Sequence, residues 1–211
     1  VGLAADVVAF FTTRHGGASQ APYDQANLGL GVRDDAEHVW ANRAGVERVL
    51  GAPVTWSRPV HGREVAIVAA DGGVADAVTR SDGGEPAVDA LVTSARGRGV
   101  AALAADCVPV LLVAGTAGGT LAIGAVHSGR VGLALGVVPA AVRALRQEAL
   151  AQLAPAARVG TLGADEASGL VVRAVVGPAV CGRCYEVPPA MQEDVARIIP
   201  QAASTTRWGS T

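Results

Sequence analysis

Two short runs, Ala104-Ala105-Asp106-Cys107-Val108-Pro109-Val110 and Ala125-Val126-His127-Ser128-Gly129-Arg130, place a thiol and an imidazole at the open end of what reads as one β-hairpin. Residues 108–113 and 120–126 are apolar and rich in strand formers, and Gly115-Thr116-Ala117-Gly118-Gly119 between them reads as the turn. A turn centred on Ala117 sets Cys107 opposite His127. Facing residues of an antiparallel ladder have Cβ atoms about 4.5–5.5 Å apart. At that spacing the pair can share a metal ion or pass a proton. Each residue alone has an ordinary reading, Cys as a small buried hydrophobe and His as a hydrogen-bonded loop residue. The facing register raises the pair above those readings. Asp106 is placed to orient a ligand or move a proton, and Gly129 leaves room for a substrate.

A catalytic zinc takes three protein ligands and keeps a fourth position open. His61, at a strand–loop junction between Val60 and Gly62, is the best third ligand; His38 falls within a predicted helix, and His15 beside Arg14 suits a pocket wall. A metal on His61, Cys107 and His127 would bring the pKa of its water to roughly 7. The thiolate selects a soft or borderline ion, zinc or copper. Without metal, Cys107 and His127 would instead make a nucleophile and its base, as in a hydrolase or amidase. Arg14-His15-Gly16-Gly17 offers a guanidinium and backbone N–H groups to an anion such as phosphate, with a tight turn as the equal alternative. Cys181-Gly182-Arg183-Cys184 is half of a zinc knuckle, and the chain holds no second pair. Because Tyr185-Glu186-Val187-Pro188-Pro189 follows it where a redox motif would open a helix, it reads as a loop with an incidental Cys181.

The elements that must carry these residues alternate between strand and helix patterns. Strands are predicted at 7–13, 54–57, 65–69, 88–93, 99–104 and 170–176, besides the hairpin. A helix capped by Asp34 or Asp35 ends at Gly51; a longer pattern over 131–153 breaks near Pro139; a third helix runs over 188–199 behind N-terminal prolines. Residues 19–31 read as an ordered loop, 79–86 as a polar flexible loop, and 154–169 as a surface excursion. The expected architecture is α/β: a single domain with a mixed β-sheet flanked by helices, its metal site at strand ends and loops.

Composition narrows the function classes. The chain has 211 residues, enough for one sizeable core, and half are hydrophobic while only 3% are aromatic, so small aliphatic side chains must fill that core. All 17 basic residues are Arg, and they are scattered; with a net charge of −2 this argues against a nucleic-acid surface. No uncharged 18-residue apolar run suits a membrane span, and no leader pattern opens the chain. Three Cys fit a reduced, cytoplasmic protein better than a disulfide scaffold.

Six segments in order resemble one family: Thr12-Thr13-Arg14-His15-Gly16-Gly17, Val60-His61-Gly62, Asp89-Ala90-Leu91-Val92-Thr93, Ala105-Asp106-Cys107-Val108-Pro109-Val110, Val126-His127-Ser128-Gly129, and Gly177-Pro178-Ala179-Val180 with Cys184-Tyr185-Glu186-Val187. Together they cover nearly the whole chain and are similar to the multicopper polyphenol oxidase (laccase-like) family, also treated as purine nucleoside phosphorylase and adenosine deaminase-type enzymes and as peptidoglycan editing factors. The resemblance implies a His/Cys/His zinc set at His61, Cys107 and His127, with copper as the alternative. It implies phosphorolysis of adenosine, inosine, guanosine and methylthioadenosine, and adenosine deamination. Cys107, His127, Asp106 and Arg14 are then the catalytic candidates, and Arg14, His15, Arg130 and Tyr185 the contacts to a purine nucleoside and phosphate. Three departures stand out. Pro59 replaces a common Gln; His127-Ser128-Gly129-Arg130-Val131-Gly132 replaces His-Ala-Gly-Trp-Arg-Gly; and relatives continue past the point where Arg207-Trp208-Gly209 leads to Thr211. The expectation is a single catalytic domain over 1–211 with the C-terminal part of the family domain beyond it. A non-catalytic peptidoglycan-editing or binding module is the further alternative those departures raise.

Overall fold

A computed structural model describes residues 2–75, 84–153 and 169–200. The excursion expected at 154–169 and the Arg207-Trp208-Gly209 segment lie outside the described residues but for Gly169, as does most of the polar loop at 79–86. The chain folds as mixed α/β. Strands β2 (Val65–Val68), β3 (Val74–Ala75), β4 (Ala90–Thr93), β6 (Val108–Thr116), β7 (Gly119–Ser128) and β8 (Val171–Val176) form a six-stranded sheet in the order β3-β2-β4-β7-β6-β8. β2 runs parallel to β4, and the other pairings are antiparallel. β1 (Val54–Trp56) and β5 (Gly99–Ala101) pair in parallel as a small second sheet.

The sheet is central because β4 has no polar face: Ala90, Leu91 and Val92 are all fully buried. Helix α3 (Val137–Leu153) covers one side. Its Val137, Ala141, Leu145 and Ala149 recur every fourth residue, and all are fully buried against Ala90, Val92, Leu112 and Val126. A smaller cluster of Ala66, Val68, Val88 and Leu91 packs elsewhere on the sheet. The long helical pattern breaks at Gly136, which takes φ 82° and ends the short α2 (Arg130–Leu135); Pro139 sits in the first turn of α3, where its missing N–H leaves no bond unmade.

Helix α1 (Ala36–Leu50) starts at Asp35, whose side chain accepts from Glu37 N–H at 2.9 Å, and stops at Gly51 in the left-handed region. From this helix Asn42 holds the loop before it, accepting from Ala18 N–H and donating to Ser19, to the Gln25 carbonyl and to the Asn27 carbonyl. The buried Arg43 pairs with Glu85 and lies over the rings of Trp40 and Trp56. The last helix, α4 (Pro189–Ile198), opens with prolines as expected and buries no residue.

Residues 7–13 are not a strand. They make no ladder; Val8 is 62% exposed, and the segment is held instead by the Phe11 ring lying on Gly177 and by Asp6 accepting from the backbone and hydroxyl of Thr120. The apolar run therefore packs through side chains and not through ladder hydrogen bonds.

Candidate metal centre

The hairpin register differs from the one a turn at Ala117 would set. Thr116 pairs with Gly119, so the turn is centred between Ala117 and Gly118. A bulge at Ala114/Gly115 then leaves Leu121 without an opposite residue on β6. His127 therefore faces Pro109, and Cys107 lies just beyond the last pair, Val108 with Ser128. Each departure is one residue and the two add. A slip of two preserves the face of the strand, whereas a slip of one inverts it. Cys107 thus stays on the side of His127 although it does not face it.

Three side chains converge at this end of the hairpin. One ligand atom each from His61, Cys107 and His127 lies within 4.8 Å of the other two, and His61 Nε2 is 3.8 Å from Cys107 Sγ. The two imidazoles meet edge to face, with ring centres 4.9 Å apart. His127 is buried, Cys107 half-buried and His61 exposed. The group opens to solvent on the His61 side.

A buried carboxylate organises two of the three. Asp89, wholly inaccessible, precedes β4. Its Oδ1 accepts from His127 Nδ1–H at 2.8 Å and from His61 N–H at 3.0 Å, and its Oδ2 accepts from Gly62 N–H at 2.7 Å and Val60 N–H at 3.3 Å. Because an ionised carboxylate only accepts, His127 Nδ1 carries the hydrogen of this bond, and Nε2 is the nitrogen available to a metal. The same carboxylate explains His61, whose φ of 59° is uncommon for a residue with a Cβ. Three converging N–H bonds over-determine that turn and hold it there.

Gly129 closes the cluster from the hairpin side. A Cβ there would come within 2.6 Å of His61 Cδ2 and 3.2 Å of both Cys107 Sγ and His127 Cε1, so the ligands themselves occupy the space a side chain would need. Gly132 allows the next approach: a Cβ there would come within 2.6 Å of the Gly62 carbonyl oxygen, so its absence seats α2 on the His61 turn. The Cys107 thiol is pushed up from its ordinary value by burial and by the charges of Asp106 and Asp89, against a hydrogen bond from Arg130 N–H that pulls it down.

The remaining sequence candidates are distributed around this group. Asp106 is exposed beside Cys107, and its carbonyl accepts from Val180 N–H at 2.9 Å. The carboxylate bonded to His127 is Asp89, to which sequence reasoning gave no role of its own. Its signal was an acidic residue leading straight into the buried Ala90-Leu91-Val92 run, a place where charge needs partners. Arg130 reaches the cluster by its backbone, with its side chain exposed at the start of α2. Arg14 and His15 are exposed on the first loop, where the Arg14 carbonyl accepts from Gln25 and Ala26 N–H. Tyr185 is exposed after Cys184. Among the described residues, neither His15 nor His38 belongs to the ligand group.

Comparison with known proteins settles the family. The family described as multi-copper polyphenol oxidoreductase laccase matches residues 8–211. The chain belongs to this family. It is 45% identical over 203 residues to a Streptomyces griseus protein named purine nucleoside phosphorylase, covering 95% of this chain and 72% of that one. A Streptomyces coelicolor protein of the same name is 46% identical over the same shares. Among solved structures, a Neisseria meningitidis protein superposes with a TM-score of 0.67 at 31% identity, over 91% of this chain and 66% of its own. YlmD from Geobacillus stearothermophilus gives 0.60 at 29%, over 88% and 62%. The chain therefore spans about two thirds of the length of these solved family members. No helix among the described residues is long and apolar enough to cross a membrane.

Proposed function

We propose that the chain is the catalytic domain, over 1–211, of a zinc-dependent purine nucleoside enzyme. It would cleave adenosine, inosine, guanosine and methylthioadenosine with phosphate and would deaminate adenosine. The observation that carries this reading is the convergence of two imidazoles and a thiol within 4.8 Å, buttressed by a buried carboxylate, in a chain whose relatives carry the name purine nucleoside phosphorylase.

The residues fit the ion. With Zn–S near 2.3 Å and Zn–N near 2.0–2.1 Å, tetrahedral ligands stand about 3.5 Å apart. The Cys107–His61 separation of 3.8 Å agrees with that, and the absence of a side chain at Gly129 keeps the space open. Bound there, zinc supplies a Lewis acid with one open coordination position. His127 and His61 would bind it through nitrogen lone pairs, Asp89 holding the His127 tautomer, and Cys107 would bind it as thiolate. Arg14 is assigned to the phosphate, Asp106 to proton transfer toward the leaving purine, and His15, Arg130 and Tyr185 to substrate contacts. The raised Cys107 thiol disfavours the metal-free alternative, since a thiol held neutral is a poor nucleophile.

The test joins metal quantification to nucleoside turnover with and without phosphate. Stoichiometric zinc and phosphate-dependent release of free base are expected, both lost in His61→Ala and His127→Ala. Unchanged metal content in those two variants overturns the ligand assignment. Turnover that survives metal removal and disappears on thiol alkylation would transfer the role to a Cys nucleophile. A second reading, copper, rests on the ligand set itself, because two His and one Cys also make trigonal copper sites. Copper with an intense thiolate absorption band and oxidation of a phenol would establish that reading instead.

A further inference from the structure

The CxxC motif is the strongest feature that the proposed nucleoside chemistry leaves unused. Cys181 and Cys184 are both exposed, and the segment between them is a turn in which Cys184 N–H donates to the Cys181 carbonyl at 2.7 Å. A four-residue turn of this kind brings its end Cα atoms within about 7 Å, and disulfides span Cα separations of about 4.4–6.8 Å. The two thiols are close enough to shift each other's titration. The loop is fastened to the strand that leads into the metal centre, through Gly177 N–H to the Pro109 carbonyl at 2.8 Å and Val180 N–H to the Asp106 carbonyl at 2.9 Å.

We propose that Cys181 and Cys184 are a redox-active dithiol, a modification site that takes an intramolecular disulfide from a small-molecule disulfide. The Cys181 thiolate attacks one sulfur of the incoming disulfide, forming a mixed disulfide and expelling one thiolate. Cys184, as thiolate, then attacks Cys181 sulfur and expels the second. Two protein thiols lose two electrons and two protons; the small disulfide gains both and leaves as two thiols. The two cysteines are not equivalent. Cys181 is the attacking group because the N–H groups of Arg183 and Cys184, the Cys184 thiol and the Arg183 charge all favour its thiolate, pulling it below the ordinary thiol value. Cys184 is the resolving group, held up by local desolvation and by the neighbouring Cys181 charge. Cys107, pushed up and half-buried, stays out of the exchange.

The metal-loaded protein is titrated with reduced and oxidised glutathione at graded ratios, then alkylated and weighed intact and as peptides. The expected product has lost the mass of two hydrogens, with Cys181 and Cys184 joined and Cys107 alkylated only after denaturation and metal removal. Cys184→Ser is expected to accumulate a stable glutathione adduct on Cys181, and Cys181→Ser to react at least tenfold more slowly. Both side chains are exposed, so each variant keeps the fold. A wild-type adduct that never resolves, a disulfide that includes Cys107, or equal reactivity of the two single variants overturns the proposal. Failure of the zinc reading leaves this result unaffected, because the readout is the thiol state and not turnover.

Discussion

The chain carries its sulfur in two settings that share little beyond the element. Cys107 stands at the end of a ladder, half-buried, with two imidazoles against it and a wholly buried carboxylate behind them. Cys181 and Cys184 stand on an exposed turn beside each other and the Arg183 charge. The surroundings drive the thiols in opposite directions: burial and carboxylates raise Cys107, while N–H donors lower Cys181. A thiol surrounded by ligand nitrogens and negative charge is suited to a cation, which supplies the positive charge its thiolate lacks. A thiol stabilised by backbone dipoles on the surface is suited to exchange.

The sharpest way to break this contrast is to remove the buttress from the first setting. Asp89→Ala orphans the His127 Nδ1–H and three backbone N–H groups. Metal affinity should fall about 10–100-fold, read by competition with a chelator, while the reactivity of Cys181 stays as it was. Gly129→Ala attacks the same site from the other side, pressing a methyl into the three ligands. About tenfold weaker metal binding is expected, with far-ultraviolet circular dichroism unchanged; full affinity would show that the space is not the ion's.

Proton competition sharpens the contrast further. On the proposed ligand set, metal binding would expel the Cys107 proton, and that thiol titrates above its ordinary value. Affinity should therefore drop about tenfold for each unit the pH falls below that value, with a steeper fall once the ligand imidazoles begin to protonate. A flat profile between pH 7 and 8 would remove Cys107 from the ligand set. Leu145→Ala serves as the core control, since it empties space under α3 without removing any of the residues of either thiol setting. It should cost about 2–5 kcal/mol in denaturant unfolding and leave the order of thiol reactivities intact. The smallest effect belongs to Asp6, whose carboxyl is held below the usual range by the backbone and hydroxyl of Thr120. Its contribution is present above pH 4 and is lost as the pH falls through its lowered value, so Asp6→Asn should flatten the acid limb of the stability profile slightly.

Much of the architecture was legible because local rules and burial agree. The hairpin, the cap at Asp35, the stop at Gly51 and the proline-led last helix all follow from residue chemistry. Residues 7–13 have an apolar spacing that suits a strand, but a ladder also needs a partner alongside, and no short-range pattern shows whether the fold brings one there. The hairpin register was wrong by two residues for a related reason. Neither the turn centre nor the bulge that displaces Leu121 leaves a mark in composition.

By itself the sequence determined the chemistry available to this protein: which residues can bind a soft ion, which can carry charge, and which glycines permit close approach. His61, Cys107 and His127 were identifiable as ligand types with no coordinates at all. Only the tertiary structure decided that they meet, because their convergence depends on a bulge preserving the face of Cys107 and on Asp89 joining two segments remote in the chain. It also set Cys181 and Cys184 at the two ends of one hydrogen-bonded turn, in a segment that the sequence left as an ordinary loop. Residue type sets what a side chain can do, and position, which depends on every other contact, sets what it does.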